Sequence, residues 1–458
     1  MRYLFSLLFT LITSLVIASP ADSTTLDYST YIEIVKTHHP IVYQGNIKQE
    51  IGEAKVTKAK GGFDPKIQGN AQQKYFDGKQ YYSYLHGGLV VPTWFGVKAN
   101  AGYGLNGGER LNPESYTPSE GLWNVGLSVN LGKGLFIDAR RAELKQAKIY
   151  QEQTEQIQRL MLNQLVFDAR NAYWDWFKAY NKVTILEEAL DLAEIRHKGL
   201  VASAFLGDKP TVDTLKTIIQ VQDRRIKLEQ AKADLFNKQS KMEVFLWQEG
   251  FIPLEVSKDI MPEKKEDLNL SNPPVKNDST DFVQNHPEIL SAKYQIAIQE
   301  IDFRLKREDL KPKVELKYNL LSDQTTTNWT PENYNWGATV SYPIFTRKER
   351  ASRNISELQL AEQKAKLANK EAEINYKINA AYTQMLSTYI QAAIYKENVA
   401  NYAQLLEAET ELFMNGESSI FLVNTRDQDW MNARLKFIDM LYLTQVYTAA
   451  YNYHIVSY

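Results

Sequence analysis

Cysteine is absent from the 458 residues. That excludes a disulfide framework, a thiolate metal site, a cysteine nucleophile and a lipid carried on a mature amino-terminal cysteine. A basic excess is missing too: 53 Lys and Arg stand against 55 Asp and Glu, a formal net charge of -2. Without that excess there is no electrostatic footprint for nucleic acid. Long apolar runs are confined to the first residues. MRYLFSLLFTLITSLVIASPADS has a positive start at Arg2, an apolar stretch over 4–17, and Val16 and Ala18 as a small-residue cleavage site. This is the shape of a signal peptide over 1–18. No later run of about 18 apolar residues follows, so any membrane insertion is expected as β-strands. Chemistry-bearing motifs are also lacking. The histidines (His38, His39, His86, His197, His286, His454) show no metal-site spacing such as HExxH, and GxxxxGK[ST] and GxSxG do not occur. KGGFDPK, beginning at Lys60, reads as a glycine-containing helix stop. The expectation is therefore no enzyme, no cofactor and no metal.

What is present is a plan written twice. HPIVYQGNIKQEIGEAKVTKAKGGFDPKI begins at His39, and HPEILSAKYQIAIQEIDFRLKREDLKPKV begins at His286. Both open on His-Pro and reach Pro-Lys at the same distance. Helix is expected over 27–60, then strands over 66–132. There Trp123, Val125, Leu127, Val129 and Leu131 alternate with polar and small residues, and so do Phe95 to Leu105. Period two over about ten residues marks a strand with one apolar face. Weaker strands are expected over 66–76 and 80–91. A long helix follows over 135–205, with Leu165, Ala169, Ala172, Trp176, Ala179 and Val183 opening a stripe spaced alternately four and three, the mark of coiled-coil packing. GDKPT turns the chain into a helix over 212–248. A proline-containing polar linker over 249–280 leads into the second copy: helix over 281–310, strands over 314–320 and 336–342, a long helix over 346–414, the turn NGESS, and a last helix to 455. The domain expectation is thus signal 1–18, first repeat 19–248, linker 249–280 and second repeat 281–458.

Each helix of about 70 residues would be about 105 Å long. Each is answered by two half-length helices, which suits a tube wall of constant height. Strands of about 9–11 residues match a bilayer-crossing barrel wall. Four to six of them cannot close a barrel, since small closed barrels need about eight, so several copies must share one.

With these features in place, the chain resembles the TolC family of outer-membrane efflux factors over roughly 25–456. The carriers are the doubled helix–strands–helix plan, the two His-Pro openings, and the strand exits LGKGLFIDARRAELKQAK and YPIFTRKERASRNISELQLAEQKAK. The helix tips FLGDKPTVDTL and FMNGESSIFLVN complete the set. The resemblance implies a mainly α fold with a membrane β-barrel portion. It implies a homotrimer with one barrel in the outer membrane and one α-helical tunnel across the periplasm, fed by an inner-membrane pump through a periplasmic adaptor. The family's usual protomer gives four strands, twelve per trimer. Six candidates stand here, so either the barrel is larger or the extra hairpin, over about 80–106, lies outside it.

The same resemblance implies adaptor contact at the tip turns, carried by Leu206, Gly207 and Asp208 and by Asn415, Gly416 and Glu417. Some members close the inner end with acidic, aromatic and arginine side chains. The acidic position six after the first tip glycine is Asp213, and the aromatic position falls on Phe413 in place of tyrosine. The arginine position falls on Ser418, and two further acidic positions on Leu422 and Thr425, so a gate of that polar kind is incomplete. Arg426, Asp427 and Asp429 stand nearby as substitutes, against the plainer reading of those charges as a solvated helix face or the lumen wall. The implied function is a passive export duct; drug, metal-ion and protein export all share it. The rival from another class is an exported structural or adhesive coiled-coil protein without channel activity.

Overall fold

In the computed structural model, residues 25–257, 259–264, 268, 279–323 and 329–457 are described. The expected signal segment, most of the latter part of the linker and part of the loop after residue 323 lie outside them. The first copy of the plan runs β1 (Thr25–Leu26), α1 (Tyr28–His38), α2 (Pro40–Lys60), β2 (Lys66–Phe76), β3 (Lys79–Pro92), β4 (Val97–Gly107), β5 (Leu122–Asn130), α3 (Ala139–Phe205) and α4 (Thr211–Glu243). The connection holds three short strands: β6 (Trp247–Gln248), β7 (Ile252–Pro253) and β8 (Met261–Pro262). The second copy runs α5 (Ser279–Gln284), α6 (Pro287–Glu308), β9 (Lys313–Ser322), β10 (Tyr334–Ser341), α7 (Arg347–Met414) and α8 (Ile420–Ile455).

Three expectations need correction. The helices expected over 27–60 and 281–310 each break at His-Pro. His39 is extended at φ -66°, ψ 136° and His286 at φ -63°, ψ 131°, because a following proline clashes with αR backbone at the preceding residue. The proline is then well placed as the first residue of the next helix. Second, the strand expected from Phe95 begins at Val97. Trp94 and Phe95 form a turn closed by Gly96 at φ +94°. Third, the helix expected over 212–248 ends at Glu243, and Trp247–Gln248 forms β6, which pairs with β7; further on, β8 pairs in parallel with β1.

By internal contacts the chain divides into two compact units. One comprises residues up to 39, 168–273 and 386–446; the other comprises 40–167, 274–385 and 447 onward. The first unit has an aromatic core. Tyr31, Tyr173, Trp176 and Phe177 have no exposed surface. The Tyr173 hydroxyl donates to the Leu26 carbonyl (2.8 Å) and accepts from the Glu263 amide (3.0 Å), so one phenol satisfies backbone on both sides of the β1–β8 pair. Asp175 in α3 accepts from the Tyr442 hydroxyl of α8 (2.8 Å) and faces Lys238 and Lys241 of α4. Burial pushes its carboxyl up, but the phenol and the two ammonium groups outweigh that and hold it below the usual carboxylate range.

The second unit is built on one six-stranded antiparallel sheet in the order β10-β9-β5-β4-β3-β2. The two repeats meet within it at β5–β9, paired from Trp123↔Ser322 to Asn130↔Glu315. Where β5 hands over to α3, Asp138 accepts from the Arg141 amide (2.9 Å), the side-chain bond of an N-cap. The Arg141 guanidinium then donates to the Leu135 carbonyl (3.0 Å). These bonds anchor the first turn of α3 to the segment that leaves β5.

Candidate functional site

The sheet has two chemically opposite faces. Register places Leu85, Leu105, Ala101, Val125, Leu320, Tyr318 and Trp336 on one of them, since Leu85 faces Leu105, Ala101 faces Val125, Val125 faces Leu320, and Tyr318 faces Trp336. Among the described residues no element covers this face: Val125, Leu127, Tyr318, Trp336 and Val340 are all exposed, Trp336 by 65%. A bare apolar sheet of this extent needs another apolar medium.

The opposite face is polar and tightly fitted. Asn100 on β4 donates to Asn319 on β9 (2.8 Å), reaching across β5 above Gly126. A Cβ at Gly126 would come within 2.2 Å of both the Asn319 side chain and the Tyr318 carbonyl, so only glycine lets the two amides meet. Asn106 bonds His86 on β3 (2.8 Å) and donates to the Ser115 carbonyl (2.7 Å), tying the 108–121 loop to the strands. A two-residue turn at Asp77-Gly78 (φ 53° and 69°) joins β2 to β3 and the turn 93–96 joins β3 to β4, while the longer loops 108–121 and 323–333 join β4 to β5 and β9 to β10. The Asp-Gly pair with two positive φ values is a type I′ hairpin turn, matched to strand twist.

In the other unit, the α3–α4 and α7–α8 turns are built alike. Gly207 and Gly416 both lie at φ +81°. The Gly207 amide donates to the Ala204 carbonyl and Asp208 to Ser203 (3.0 Å). Gly416 donates likewise to Phe413, and Glu417 to Leu412 (2.9 Å). This is the paired-bond ending of a helix on a left-handed residue, which glycine adopts without strain. The six expected tip residues thus fall on two equivalent turns. Leu206, Gly207, Asp208, Asn415, Gly416 and Glu417 are exposed. Lys209 lies over the Phe413 ring (4.5 Å to its centroid), so the two turns touch.

The expected gate residues separate into three places. Asp213 sits in the first turn of α4 and pairs with Lys216 of the same helix (2.9 Å), where a carboxylate also complements the helix dipole. Arg426, partly exposed, faces the largely buried Glu409 (3.8 Å) and the partly exposed Asp429 (3.6 Å). Asp427 is almost wholly buried. It pairs with the buried Arg224 guanidinium of α4 and with Arg196 of α3 (3.0 Å). Arg224 also donates to the Ala189 carbonyl, and Arg196 reaches Asn424 (3.4 Å). One carboxylate of α8 thus holds two cations from α3 and α4. Arg196, Arg224 and Glu409 escape sequence reasoning, because their partners lie on other helices at no fixed spacing. His197, on the coiled-coil stripe, bonds Thr217 through Nδ1 (2.8 Å), which accounts for it structurally.

Among the described residues no cluster of His, Cys, Asp or Glu could hold a metal, and no helix is long and apolar enough to cross a membrane.

The family model described as outer membrane efflux protein matches residues 280–450. No protein of curated function matches the sequence. Solved structures match over nearly the whole chain. The CmeC outer membrane channel of Campylobacter jejuni is 15% identical, with 94% of this chain and 85% of that one covered at TM-score 0.65. The outer membrane protein VceC of Vibrio cholerae is 11% identical, covering 94% and 95% at TM-score 0.65. The open-state MtrE outer membrane channel of Neisseria gonorrhoeae is 12% identical, covering 93% and 88% at TM-score 0.64. The family resemblance carried by the doubled motifs stands, and the chain has the mainly helical, curled-sheet fold of these channels.

Proposed function

We propose that the chain is one protomer of an outer-membrane export duct. Three copies share a β-barrel in the outer membrane and an α-helical tunnel in the periplasm, and the tunnel receives cargo from an inner-membrane pump through a periplasmic adaptor. The observation that carries this reading is the sheet with one bare apolar face, one polar face and two unpaired edges. In lipid every backbone donor and acceptor must be satisfied, so such a sheet is stable only as part of a closed wall. Its apolar face meets lipid and its polar face lines the bore. Exposed apolar residues on the helices, among them Ile219, Ile226 and Phe236 of α4 and Ile390 and Ile394 of α7, support neighbouring copies packing on those faces. A coiled-coil adhesin has no use for the bare sheet.

The tip turns are the adaptor contact in this reading. Their exposed backbone and the neighbouring Phe205 and Met414, which are largely uncovered, offer apolar and hydrogen-bonding groups together. The gate is assigned a different division of labour from the one the family pattern implies. Asp427 clamps α3, α4 and α8 within a protomer and does not face the bore. Arg426 and Asp429 are the partly exposed charges, backed by the more buried Glu409, that would meet a neighbouring copy. The duct does no chemistry; the work comes from the pump.

Single-channel conductance of detergent-extracted trimers in a planar bilayer tests this. Discrete, long-lived steps are expected. A soluble monomer that never enters the bilayer would sink the reading.

A further inference from the structure

We propose that β2 pairs with β10 of a neighbouring copy, so that each copy contributes six strands to the shared barrel and a trimer closes eighteen rather than the family's twelve. The inference rests on the shared-barrel reading above and decides which edge the copies use.

The β2–β3 hairpin is continuous with the wall and not appended to it. β3 pairs with β4 from Ser83↔Gly107 to Pro92↔Lys98 without a register shift. A hairpin folded away from the barrel would have to give up this ladder. Both faces run on across the join. On the apolar face Leu89 and Val91 of β3 line one continuous depression with Ala99 and Ala101 of β4 and Leu127 of β5. On the polar face His86 of β3 bonds Asn106 of β4 at 2.8 Å. The close fit is prepared by Gly104, where a Cβ would stand 2.8 Å from the His86 ring.

β2 extends the same alternation. Its register partners put Gln68, Asn70, Gln72 and Lys74 on the polar face and Ile67, Gly69 and Ala71 on the apolar one, which ends in Gln73 opposite Ser83 just before the ladder shifts register at Lys74/Tyr75. Both lysines of the strand, Lys66 and Lys74, therefore point to the polar side, where a water-filled bore would hydrate them. β2 has 11 residues and β10 has 8, each long enough to cross most of a bilayer when tilted. Direction also fits. β2 leaves the helical end of the sheet and β10 returns to it, so the two edges meet antiparallel in a ring of copies pointing the same way. At about 4.8 Å between strands and a tilt of about 40°, eighteen strands give a backbone diameter of about 36 Å and twelve about 24 Å.

The absence of native cysteine makes the test clean. Full-length double variants would carry Asn70→Cys or Gln72→Cys on β2 with Gly337→Cys or Thr339→Cys on β10. A second set would carry Asn100→Cys or Gly102→Cys on β4 with the same β10 changes. All are extracted from membranes, confirmed as oligomers on native gels, and treated with a short thiol-to-thiol cross-linker that tolerates a one-residue register offset. The proposal expects covalent dimers and trimers from the β2–β10 set alone. Cross-linking of the β4–β10 set, or of neither set in intact membrane oligomers, overturns it and leaves the duct reading in place. Unsubstituted protein that is neither oligomeric nor membrane-embedded overturns the duct reading itself, and this inference with it.

Discussion

At the scale of single residues, the buried charges and imidazoles carry the sharpest consequences. His286 caps α6 by accepting from the Glu288 amide at Nδ1 (3.1 Å), which requires that nitrogen to be unprotonated. Burial pushes the imidazole down from 6.5 to about 4. Its native state therefore refuses a proton that the unfolded chain accepts. Stability is unaffected above about pH 6.5, falls as the pH drops towards 4, and levels off below, a total loss of about 3 kcal/mol from this group. Burial lowers His39 and His454 as well, with the same sign. His286→Asn keeps a capping side chain and removes the titration, so its thermal midpoint should fall less between pH 7 and pH 4.5 than that of the parent. Equal slopes would remove His286 from the account. Asp427 is the second case. Asp427→Ala leaves Arg224, 1% exposed, without its carboxylate, and breaking a buried pair costs about 3–5 kcal/mol. Denaturant titration of the extracted protein should show that loss, while Asp429→Ala, on a half-exposed pair, should change stability by about 0–1 kcal/mol. A small effect at both positions would mean the clamp is not a clamp.

At the scale of elements, the strong patterns were legible and the interruptions less so. The α7 and α8 ends fall where NGESS, the apolar stripe and the terminal residues place them, and the strands fall within two residues or so of the alternating runs. The stripe of α3 is buried at Leu165, Ala169, Ala172 and Trp176 as its spacing requires. The two His-Pro breaks are local chemistry visible in the sequence, yet helical periodicity on both sides hides them. The pairing order of the sheet could not be read from alternation, which fixes faces but not neighbours. Only the assembled ladder puts the extra hairpin in line with the other strands. The gate was the least legible part, because Asp427 finds Arg224 and Arg196 across 203 and 231 residues of chain. The paired turns offer an element-scale prediction. At Gly207 and Gly416 a Cβ would meet nothing within 4 Å, so alanine there costs only backbone strain, about 1 kcal/mol each. Gly126→Ala must instead displace the Tyr318 carbonyl and Asn319. Oligomer yield in membranes should fall sharply for Gly126→Ala and stay near the parental level for Gly207→Ala. Similar losses in both would show that the Asn100–Asn319 bridge does not depend on close approach over β5.

At the scale of the whole molecule, the sidedness of the sheet decides where the protein can live. A charge is tolerable on one face and not on the other, and two substitutions of the same chemistry separate them. Leu127→Lys places an ammonium group in the middle of β5 on the bare apolar face, where Leu127 is 57% exposed. On the lipid side of a barrel wall that costs about 2–4 kcal/mol near the bilayer midplane. Thr339→Lys places the same group on β10 among Asn335, Gly337 and Ser341, the polar side, where water hydrates it. The first variant should be depleted from membranes and retained with soluble or degraded material. The second should insert normally and shift the ion selectivity of the conductance towards anions, since a ring of copies presents several new positive charges to the bore. Equal insertion of both, with equal selectivity, would mean that the two faces meet the same solvent. The sheet would then be a soluble one, with its apolar face covered by protein.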